Sequence, residues 1–397
     1  MVSVDPITEL LERGVDEVIV KKELEKKLRS GEKITLYLGI DPTGNMLHIG
    51  HAIALRKLQS FQRLGHKVIF LIGSFTALIG DTSDKESARQ PLTQEQIEEN
   101  FKTYKKQASK ILDFSKVEIR YNGDWLSKLT FKEIIELASK FTVQQMIERE
   151  MYQQRIAQKK PIGLHEFLYP LMQGYDSVVL DVDLEIGGRD QLFNILAGRT
   201  LQKVMNNREK HVLTVQLLEG TDGRKMSKTY NNVINLVDSP SEQYGKIMSV
   251  KDGFIIKYLE LCTDMPLAEI KEMEQEMQSG TNPRDLKMRL AREIVALYHS
   301  KEEANTAESE FIKIFQKHEK PTDVEVKTLP NKEYMICDLI AVLGLAPSKS
   351  EARRLVDGGG VSIDDKKVGD SKAVISLVGK EKLLKVGKRH FVKVKNS

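Results

Sequence analysis

The sequence contains few cysteines and no long apolar run. Only Cys262 and Cys337 occur in 397 residues, 75 positions apart and with no histidine cluster, which argues against a disulfide framework and a structural zinc site. The longest apolar stretch, residues 68–80, includes Ser74 and Thr76 and is shorter than the roughly 20 residues that a membrane-spanning helix needs. The N-terminus lacks a basic segment followed by an apolar core. We therefore expect a protein of the reducing cytoplasm with no membrane segment.

Net charge is also small, but it is unevenly distributed. The whole chain carries +4, whereas residues 334–397 contain 13 Lys and Arg against 7 Asp and Glu, a net charge of +6. A basic terminal segment on a nearly neutral body is typical of proteins that bind a polyanion such as RNA. A solvated Lys-rich tail gives the same charge, so the charge alone leaves both interpretations open.

The first part of the chain has the pattern of a nucleotide-binding α/β domain. Because 397 residues exceed one core of ordinary size, two or three domains are expected. Residues 33–40 and 67–72 are β-prone and flank a helical pattern over 51–64, which predicts a βαβ unit with a parallel sheet. Nucleotides bind at the carboxyl ends of such strands. We therefore expect a nucleotide site just after residue 40.

The remaining patterns place most of the chain in helices. Helices are predicted over 94–112, 131–159, 164–179, from about Asp190 and over 241–318, and strands over 184–188 and 212–217. Two prolines with few large apolar residues around them predict a linker near 319–332. Beyond it, Ser348 and Glu351 have capping-box spacing at a helix start, residues 361–363 and 367–368 flank a hairpin turn, and residues 391–395 form a last strand.

Two histidines, His48 and His51, lie three positions apart at the start of the predicted helix 51–64. This spacing places them on one helix face, where exposed N–H groups and the helix dipole favour phosphate. Gly50 leaves the backbone between them bare, so that a flat ring such as adenine fits against it. Two ordinary helix-start histidines or a metal site are also compatible with this spacing, although no third ligand is apparent nearby. The pair alone therefore leaves the chemistry open.

A second polar segment runs from Lys225 to Lys228, with Met226 and Ser227 between the lysines, about 175 residues after the histidines. Two ammonium groups on a loop are suited to bind a triphosphate and to stabilise the charge that develops when it reacts. Taken alone, two lysines in a polar loop are usually solvated. The presence of both segments in this order favours the phosphate function.

Together, the H-I-G-H and K-M-S-K segments resemble the two signature sequences of class I aminoacyl-tRNA synthetases, which implies a Rossmann-like, parallel-sheet catalytic domain. Other segments are similar to those of bacterial tyrosyl-tRNA synthetases. They are Tyr37, Gly39, Asp41, Pro42 and Thr43; residues 78–81; Tyr169, Gln173, Tyr175 and Asp176; and Gly187, Gly188, Asp190 and Gln191. Residues 348–355 and the glycines after them resemble an S4 RNA-binding domain. The similarity covers almost the whole chain.

The resemblance implies that tyrosine reacts with ATP to give tyrosyl-adenylate and pyrophosphate, and that the tyrosyl group then passes to the 3′ end of tRNA(Tyr). A carboxylate that is already ionised requires alignment and charge stabilisation rather than a general base. The residues implied for the reacting phosphates are Thr43, His48, His51, Lys85, Arg89, Lys225 and Lys228. Those implied for ATP binding are Gly39, Asp41, Gly50, Gly188, Asp190, Met226, Ser227 and Lys228. Mg²⁺ is expected to accompany ATP through its phosphate oxygens, without structural zinc.

Selection of tyrosine over phenylalanine requires polar groups that are left unpaired when the hydroxyl is absent, an effect for which this enzyme family is a standard example. By resemblance, Tyr37 and Asp176 bind the phenol. Asp81, Tyr169 and Gln173 hold the α-amino group, and Gln191 belongs to the same tyrosine-binding set. A core tyrosine or a surface aspartate is the ordinary interpretation of each residue taken alone.

The resemblance also implies the domain organisation and the partners. The expected parts are a catalytic domain over 1–235 with a connective helical insertion, a helical anticodon-binding domain over 236–318, a linker over 319–333 and an S4-like α+β domain over 334–397. The candidate RNA-binding residues are Arg353, Arg354, Lys385, Lys388 and Arg389. The family is homodimeric, so a cytoplasmic homodimer that binds tRNA is expected.

Three positions depart from the family pattern, which often has Ser, Trp and Ser where Arg189, Leu192 and Thr229 stand. Arg189 adds positive charge near the expected nucleotide site. The alternatives are a tryptophanyl-tRNA synthetase, a small adenylyltransferase with only the histidine site, and a synthetase-derived RNA-binding protein without catalysis. Tyr37 and Asp176 favour a phenol over an indole. The lysine segment and the basic C-terminus disfavour the adenylyltransferase, and the two intact signatures disfavour the non-catalytic protein.

Overall fold

The computed structural model describes residues 5–80, 92–227, 230–315, 326–379, 381–387 and 390–396. Its backbone contacts divide the chain into two compact units, Met1–Lys301 and Glu302–Ser397. No helix in these described ranges is long and apolar enough to cross a membrane.

A six-stranded sheet forms the centre of the first unit. Its strands are β1 (Val15–Ile19), β2 (Thr35–Ile40), β3 (Lys67–Ile72), β4 (Val117–Tyr121), β5 (Leu184–Gly188) and β6 (His211–Val215). They are arranged in the order β1-β6-β5-β2-β3-β4, in which all pairs are parallel except β1 with β6. The predicted parallel α/β sheet is therefore confirmed. Because the chain leaves β2 for β3 on one side and returns to β5 on the other, the carboxyl ends of β2 and β5 form the switch point at which such folds bind ligands.

Fifteen helices of the first unit surround or follow this sheet in the described ranges. They are α1 (Pro6–Glu12), α2 (Lys21–Arg29), α3 (Ile49–Arg63), α4 (Thr76–Ile79), α5 (Gln94–Ala108), α6 (Gly123–Leu126), α7 (Phe131–Ala138), α8 (Val143–Ile147), α9 (Glu150–Ala157), α10 (Tyr169–Leu180), α11 (Leu192–Asn206), α12 (Pro240–Met248), α13 (Ile255–Cys262), α14 (Leu267–Gln278) and α15 (Pro283–Tyr298). Short 3₁₀ helices cover Leu164–Phe167, Arg189–Gln191 and Asp252–Phe254.

The helical pattern predicted over 131–159 is confirmed, and the structure divides it into three helices, α7, α8 and α9. Thr142 has extended backbone and its hydroxyl accepts a hydrogen bond from the backbone N–H of Gln145 at 3.2 Å, so it caps a new helix start. Arg149 is extended as well and separates α8 from α9. The capping signal at Thr142 therefore overrides the helical periodicity on either side of it.

The second unit begins at Glu302, within α16 (Lys301–Phe315), and also contains a small α+β fold. The elements of that fold are β7 (Val326–Leu329), β8 (Glu333–Met335), α17 (Ile336–Val342), α18 (Lys349–Asp357), β9 (Val361–Ile363), β10 (Lys366–Lys367), β11 (Val374–Ser376), β12 (Lys382–Val386) and β13 (His390–Asn396). Five strands pair in the order β10-β9-β12-β13-β7, and β11 pairs with β8. Helices α17 and α18 cover a core that includes Leu339, Val356 and Leu384.

Several local predictions for the second unit are confirmed. Ser348 caps α18 by accepting from the backbone N–H of Glu351 at 3.2 Å. The turn between β9 and β10 has positive φ at Asp364 (48°) and Asp365 (67°), as a tight hairpin turn requires. The range predicted as a linker contains β7, which pairs in parallel with β13. The four-part domain division itself stays a prediction.

Candidate active site

One cavity of about 1120 Å³ lies at the carboxyl ends of β2 and β5. It is lined by every described residue that the sequence assigns to ATP or tyrosine. These residues are Tyr37, Gly39, Asp41, Thr43, His48, Gly50, His51, Tyr169, Gln173, Asp176, Gly188, Asp190, Gln191, Lys225, Met226 and Ser227. Asp81, Lys85, Arg89 and Lys228 lie outside the described residues. Positions as far as 190 residues apart in the sequence, Tyr37 and Ser227, therefore meet at one site.

The histidine pair stands at the first turn of α3. The rings of His48 and His51 stack with their centroids 3.7 Å apart, and the backbone N–H of His48 donates to Nδ1 of His51 at 3.2 Å. Because Nδ1 of His51 accepts this bond, the proton of the neutral imidazole lies on Nε2, which makes Nε2 a donor. A Cβ at Gly50 would lie 3.0 Å from the His48 ring and 3.7 Å from the sulfur of Met226, so glycine keeps this approach open.

The loop that follows β6 is fastened by a buried asparagine that the sequence analysis did not identify. Asn232, 2% exposed, accepts from the backbone N–H of Ser227 at 2.8 Å and donates to the carbonyl of Lys225 at 3.1 Å. Its amide also donates to Asp222 at 2.7 Å. The ammonium group of Lys225 lies 3.2 Å from the Asp190 carboxylate. The loop backbone is thus held while the Lys225 side chain stays at the cavity.

Asp176 lines the cavity and is buried. Its carboxylate accepts from Trp125 Nε1 at 2.8 Å and from Asn122 Nδ2 at 3.2 Å. Burial raises the pKa of Asp176 well above its usual range, although these two hydrogen bonds partly lower it. The carboxyl group therefore retains a proton more readily than an exposed aspartate does. Trp125 and Asn122 were not predicted, because their roles depend on contacts with a residue about 50 positions away.

Asp41 links the two predicted ligand regions. Its carboxylate accepts from Tyr169 Oη at 2.7 Å and from Thr76 Oγ1 at 2.7 Å. A Cβ at Gly73 would lie 1.8 Å from Asp41 Oδ1, so only glycine leaves room for this carboxylate. An aspartate predicted to bind ATP thus contacts a tyrosine predicted to bind the amino acid.

Tyr37 lines the same cavity and is fully buried, and its hydroxyl lies 2.8 Å from Ser177 Oγ. Behind it lie Glu185 and Lys210, an ion pair that the sequence analysis missed. Burial raises the pKa of Tyr37 well above its usual range, and the negative charge of Glu185 adds to this effect. The sequence does contain a sign of this ion pair. Glu185 is a charged residue inside the otherwise apolar strand β5, and a buried charge requires a partner.

Arg189 does not line the large cavity. Its guanidinium pairs with Asp16 at 2.6 Å and with Glu17 at 3.4 Å, both on β1. The extra positive charge therefore binds the outer strand of the sheet. In the second unit, Arg353 and Arg354 are exposed on α18 and Lys385 is exposed on β12, whereas Lys388 and Arg389 lie outside the described residues.

Comparison with known families agrees with this fold. Residues 29–316 match the family described as tRNA synthetases class I (W and Y), and residues 316–394 match the tyrosine–tRNA ligase SYY-like C-terminal domain. The chain is therefore a class I tRNA synthetase.

Similar proteins show which family within this class the chain belongs to. The tyrosine–tRNA ligase of Thermotoga maritima is 47% identical over 387 residues, covering 97% of this chain and 96% of that protein. That of Francisella tularensis is 45% identical over 395 residues and covers 99% of each chain. A solved C-terminally truncated mitochondrial tyrosyl-tRNA synthetase from Coccidioides posadasii has a TM-score of 0.61 and 26% identity, over 77% of this chain and 91% of that one. The chain belongs to the tyrosine–tRNA ligase family, and its reaction is the joining of tyrosine to tRNA.

Proposed function

We propose that the cavity binds tyrosine and ATP side by side and forms tyrosyl-adenylate. The observation that carries this proposal is that all sixteen described residues assigned to the two ligands line one cavity at the switch point of the sheet. Alignment of an ionised carboxylate with the α-phosphorus of ATP is the main requirement for this step.

The phosphate end of the proposed site contains Thr43, His48 and His51 on one side and Lys225 on the other. Nε2 of His51 acts as a hydrogen-bond donor, and Lys225 exchanges its contact with Asp190 for the departing pyrophosphate. Lys85, Arg89 and Lys228 belong to the same proposal and lie outside the described residues.

The tyrosine end of the proposed site contains Asp176 and Tyr37 for the phenol. Tyr169 and Gln173, together with Asp81 outside the described residues, hold the α-amino group. The support is chemical: buried oxygen groups that lose a partner when the substrate lacks a hydroxyl penalise phenylalanine.

Mg²⁺ is proposed to enter with ATP. The carboxylates of Asp41 and Asp190 line the cavity, but Asp41 accepts from Tyr169 and Thr76, and Asp190 pairs with Lys225. This arrangement fits an ion held mainly by phosphate oxygens and water, with carboxylates outside its coordination shell. Structural zinc is not part of the proposal.

ATP–pyrophosphate exchange measured with each of the twenty amino acids tests the activation step. Exchange with tyrosine alone is expected. Exchange with tryptophan would contradict the assignment of Tyr37 and Asp176 to a phenol, and no exchange at all would favour an RNA-binding protein without catalysis.

The second unit is proposed to bind tRNA(Tyr) through Arg353, Arg354 and Lys385, with Lys388 and Arg389 outside the described residues. Three exposed cations on a segment with a net charge of +6 support this role. The residues 236–318 are proposed to contact the anticodon side of the same RNA.

A homodimer is proposed because the helical insertion exposes large apolar side chains. Phe131 is 77% exposed and Ile135 55% exposed on one face of α7, and Leu164 is 79% exposed. Light scattering is expected to give the mass of a dimer for the wild type and a shift toward the monomer for Phe131→Glu. A monomeric wild type would contradict the proposal. A cytoplasmic location is proposed as well, since tRNA and ATP are found there.

A further inference from the structure

A buried ion pair behind the tyrosine end of the cavity has no role in the proposed reaction. Glu185, on β5, is 1% exposed, and Lys210, just before β6, is fully buried. Their side chains are in direct hydrogen-bonded contact, and neither lines the cavity. Burying two opposite charges rarely stabilises a fold more than apolar residues of the same size do. The pair therefore calls for an explanation other than stability.

One oxygen of Glu185 fixes the orientation of a residue that does line the cavity. Gln173 Nε2 donates to Glu185 Oε1 at 3.1 Å. A carboxylate only accepts hydrogen bonds, so the amino half of the Gln173 amide must face Glu185 and its carbonyl half must face away. Gln173 Oε1 accepts from Asn194 Nδ2 at 3.0 Å and keeps a second lone pair. An ammonium group, which only donates, requires this orientation.

The other oxygen of Glu185 is held by Lys210 and Ser177. Lys210 Nζ donates to Ser177 Oγ at 2.7 Å, and Ser177 Oγ donates to Glu185 Oε2 at 3.2 Å. The single proton of Ser177 is thereby used, so the hydroxyl of Tyr37 donates to Ser177 Oγ at 2.8 Å. Lys210 thus neutralises Glu185 and locks it in one position.

The neighbouring helix leaves space for this ammonium group. A Cβ at Gly198, on α11, would lie 2.5 Å from both Lys210 Nζ and Ser177 Oγ. Glycine at this position is therefore required by the ion pair.

We propose that Glu185 and Lys210 are positioning residues for the substrate tyrosine, and that they act by presenting the carbonyl oxygen of Gln173 to its α-ammonium group. The inference rests on the role proposed above for Gln173. Glu185 fixes the amide, and the contact with Lys210 holds the Glu185 carboxylate in place.

The double variant Glu185→Gln/Lys210→Met removes both charges together and leaves no unpaired ion. Because a glutamine at 185 offers either its NH₂ or its carbonyl, it no longer dictates the orientation of Gln173, whereas Ser177 still bonds Tyr37. In ATP–pyrophosphate exchange, KM for tyrosine is expected to rise about 10- to 100-fold, the range for losing one hydrogen bond to a charged group, with KM for ATP unchanged. Inhibition by 3-(4-hydroxyphenyl)propionate, which lacks the ammonium group, is expected to stay at the wild-type level.

Two further variants distinguish a failure of the role proposed for Gln173 from a failure of the positioning role of Glu185 and Lys210. Lys27→Met/Asp183→Asn removes another ion pair (2.6 Å), together with the contact of Asp183 with Arg208 (2.7 Å). None of these three residues lines the cavity, and the variant is expected to leave KM for tyrosine unchanged. If Gln173→Ala does not raise KM for tyrosine, the role proposed for Gln173 is wrong. If Gln173→Ala raises it and the Glu185/Lys210 double variant does not, the positioning role is overturned.

A general loss of the pocket would weaken tyrosine and the propionate in parallel, and that outcome also overturns the inference. Circular dichroism checks the fold of each variant. Should the double variant not fold, Glu185→Asp retains the charge for Lys210 but retracts the carboxylate from Gln173. The same selective rise in KM for tyrosine is expected for it, and an unchanged KM would refute the proposal.

Discussion

At the scale of single residues, the end of the cavity proposed to bind tyrosine contains polar groups that are almost fully removed from water. Asp176 is 2% exposed and Tyr37 is fully buried, yet both line the cavity. A ligand that left their oxygens without a partner would incur the cost of desolvation without a compensating hydrogen bond. Specificity is therefore expected to depend on hydrogen bonds more than on shape.

Replacement of Tyr37 by phenylalanine removes one of these groups while keeping the ring. The preference for tyrosine over phenylalanine is expected to fall by roughly tenfold or more, since one hydrogen bond to the phenol is lost. The measurement is the ratio of kcat/KM values for the two amino acids in ATP–pyrophosphate exchange. Tyr244→Phe, a buried tyrosine outside the cavity, is the matched control and should leave the ratio unchanged. An unchanged ratio in Tyr37→Phe would remove Tyr37 from the phenol site.

The site residues that the sequence predicts lie in contiguous segments, whereas those that it does not predict depend on contacts made by packing. His48, Gly50 and Lys225 belong to contiguous segments with recognisable order. Ser177 and Lys210 act only through partners brought together by the packing of α10, α11 and the sheet, so no spacing in the sequence reveals them.

At the scale of elements, the loop after β6 combines a fixed backbone with a lysine side chain, Lys225, that lines the proposed phosphate end of the cavity. Asn232→Ala removes the bonds to Ser227 N–H and to the Lys225 carbonyl. The kcat of exchange is expected to fall by roughly tenfold or more, because the lysine is no longer aligned with the triphosphate. Steady-state kinetics with ATP as the varied substrate measures this. Asn305→Ala, on α16, serves as the exposed control, and wild-type kinetics in Asn232→Ala would show that the loop needs no such anchor.

Helix α3 is tied to its surroundings by a buried lysine. Lys57 Nζ donates to the carbonyls of Leu10 at 2.6 Å and Arg13 at 2.8 Å, at the end of α1. Burial first, and then the charge of Arg13, lowers the pKa of Lys57 from 10.5 to about 7. Burial of the ammonium form thus opposes folding at low pH.

This shift predicts a pH-dependent stability. Between about pH 7 and 10.5 the unfolded chain binds the Lys57 proton more strongly than the folded one, so the contribution of Lys57 to stability rises with pH across that window. The Tm of the wild type minus the Tm of Lys57→Met is therefore expected to increase from pH 6.5 to pH 9.5. Thermal unfolding of both proteins over this range measures it, and a constant difference would contradict the shift.

The order of helices and strands shows where pattern reasoning succeeds. The βαβ unit around α3 and the hairpin at Asp364 and Asp365 were predicted because each has a local cause, periodicity in one and turn residues in the other. Strand β7 was missed because its stability comes from β13, about 65 residues later. The divisions between α7, α8 and α9 were not predicted, because the helical periodicity of residues 131–159 does not show that Thr142 caps a new helix.

At the scale of the whole molecule, the pairing of β7 with β13 decides which C-terminal deletion can test the role of the second unit in binding tRNA. A deletion from residue 334 would leave β7 without its partner β13, whereas a deletion of residues 326–397 removes the whole sheet. The longer deletion is expected to impair tRNA charging far more than ATP–pyrophosphate exchange and to weaken the salt dependence of KM for tRNA. Arg353→Gln/Arg354→Gln, which keeps the fold, should weaken charging in the same direction. Equal losses of exchange and charging after the deletion would indicate a structural role for the segment.

The order of strands in the large sheet has a consequence for synthesis on the ribosome. Strand β2 is made early and pairs with β3 soon afterwards, but its other partner, β5, begins at Leu184. Until that segment emerges, a nascent chain exposes the hydrogen-bonding edge of a buried central strand, which is a template for incorrect pairing with other chains. The strand order that forms the proposed ligand site at the ends of β2 and β5 therefore also defines the interval of translation in which this polypeptide most needs protection from aggregation.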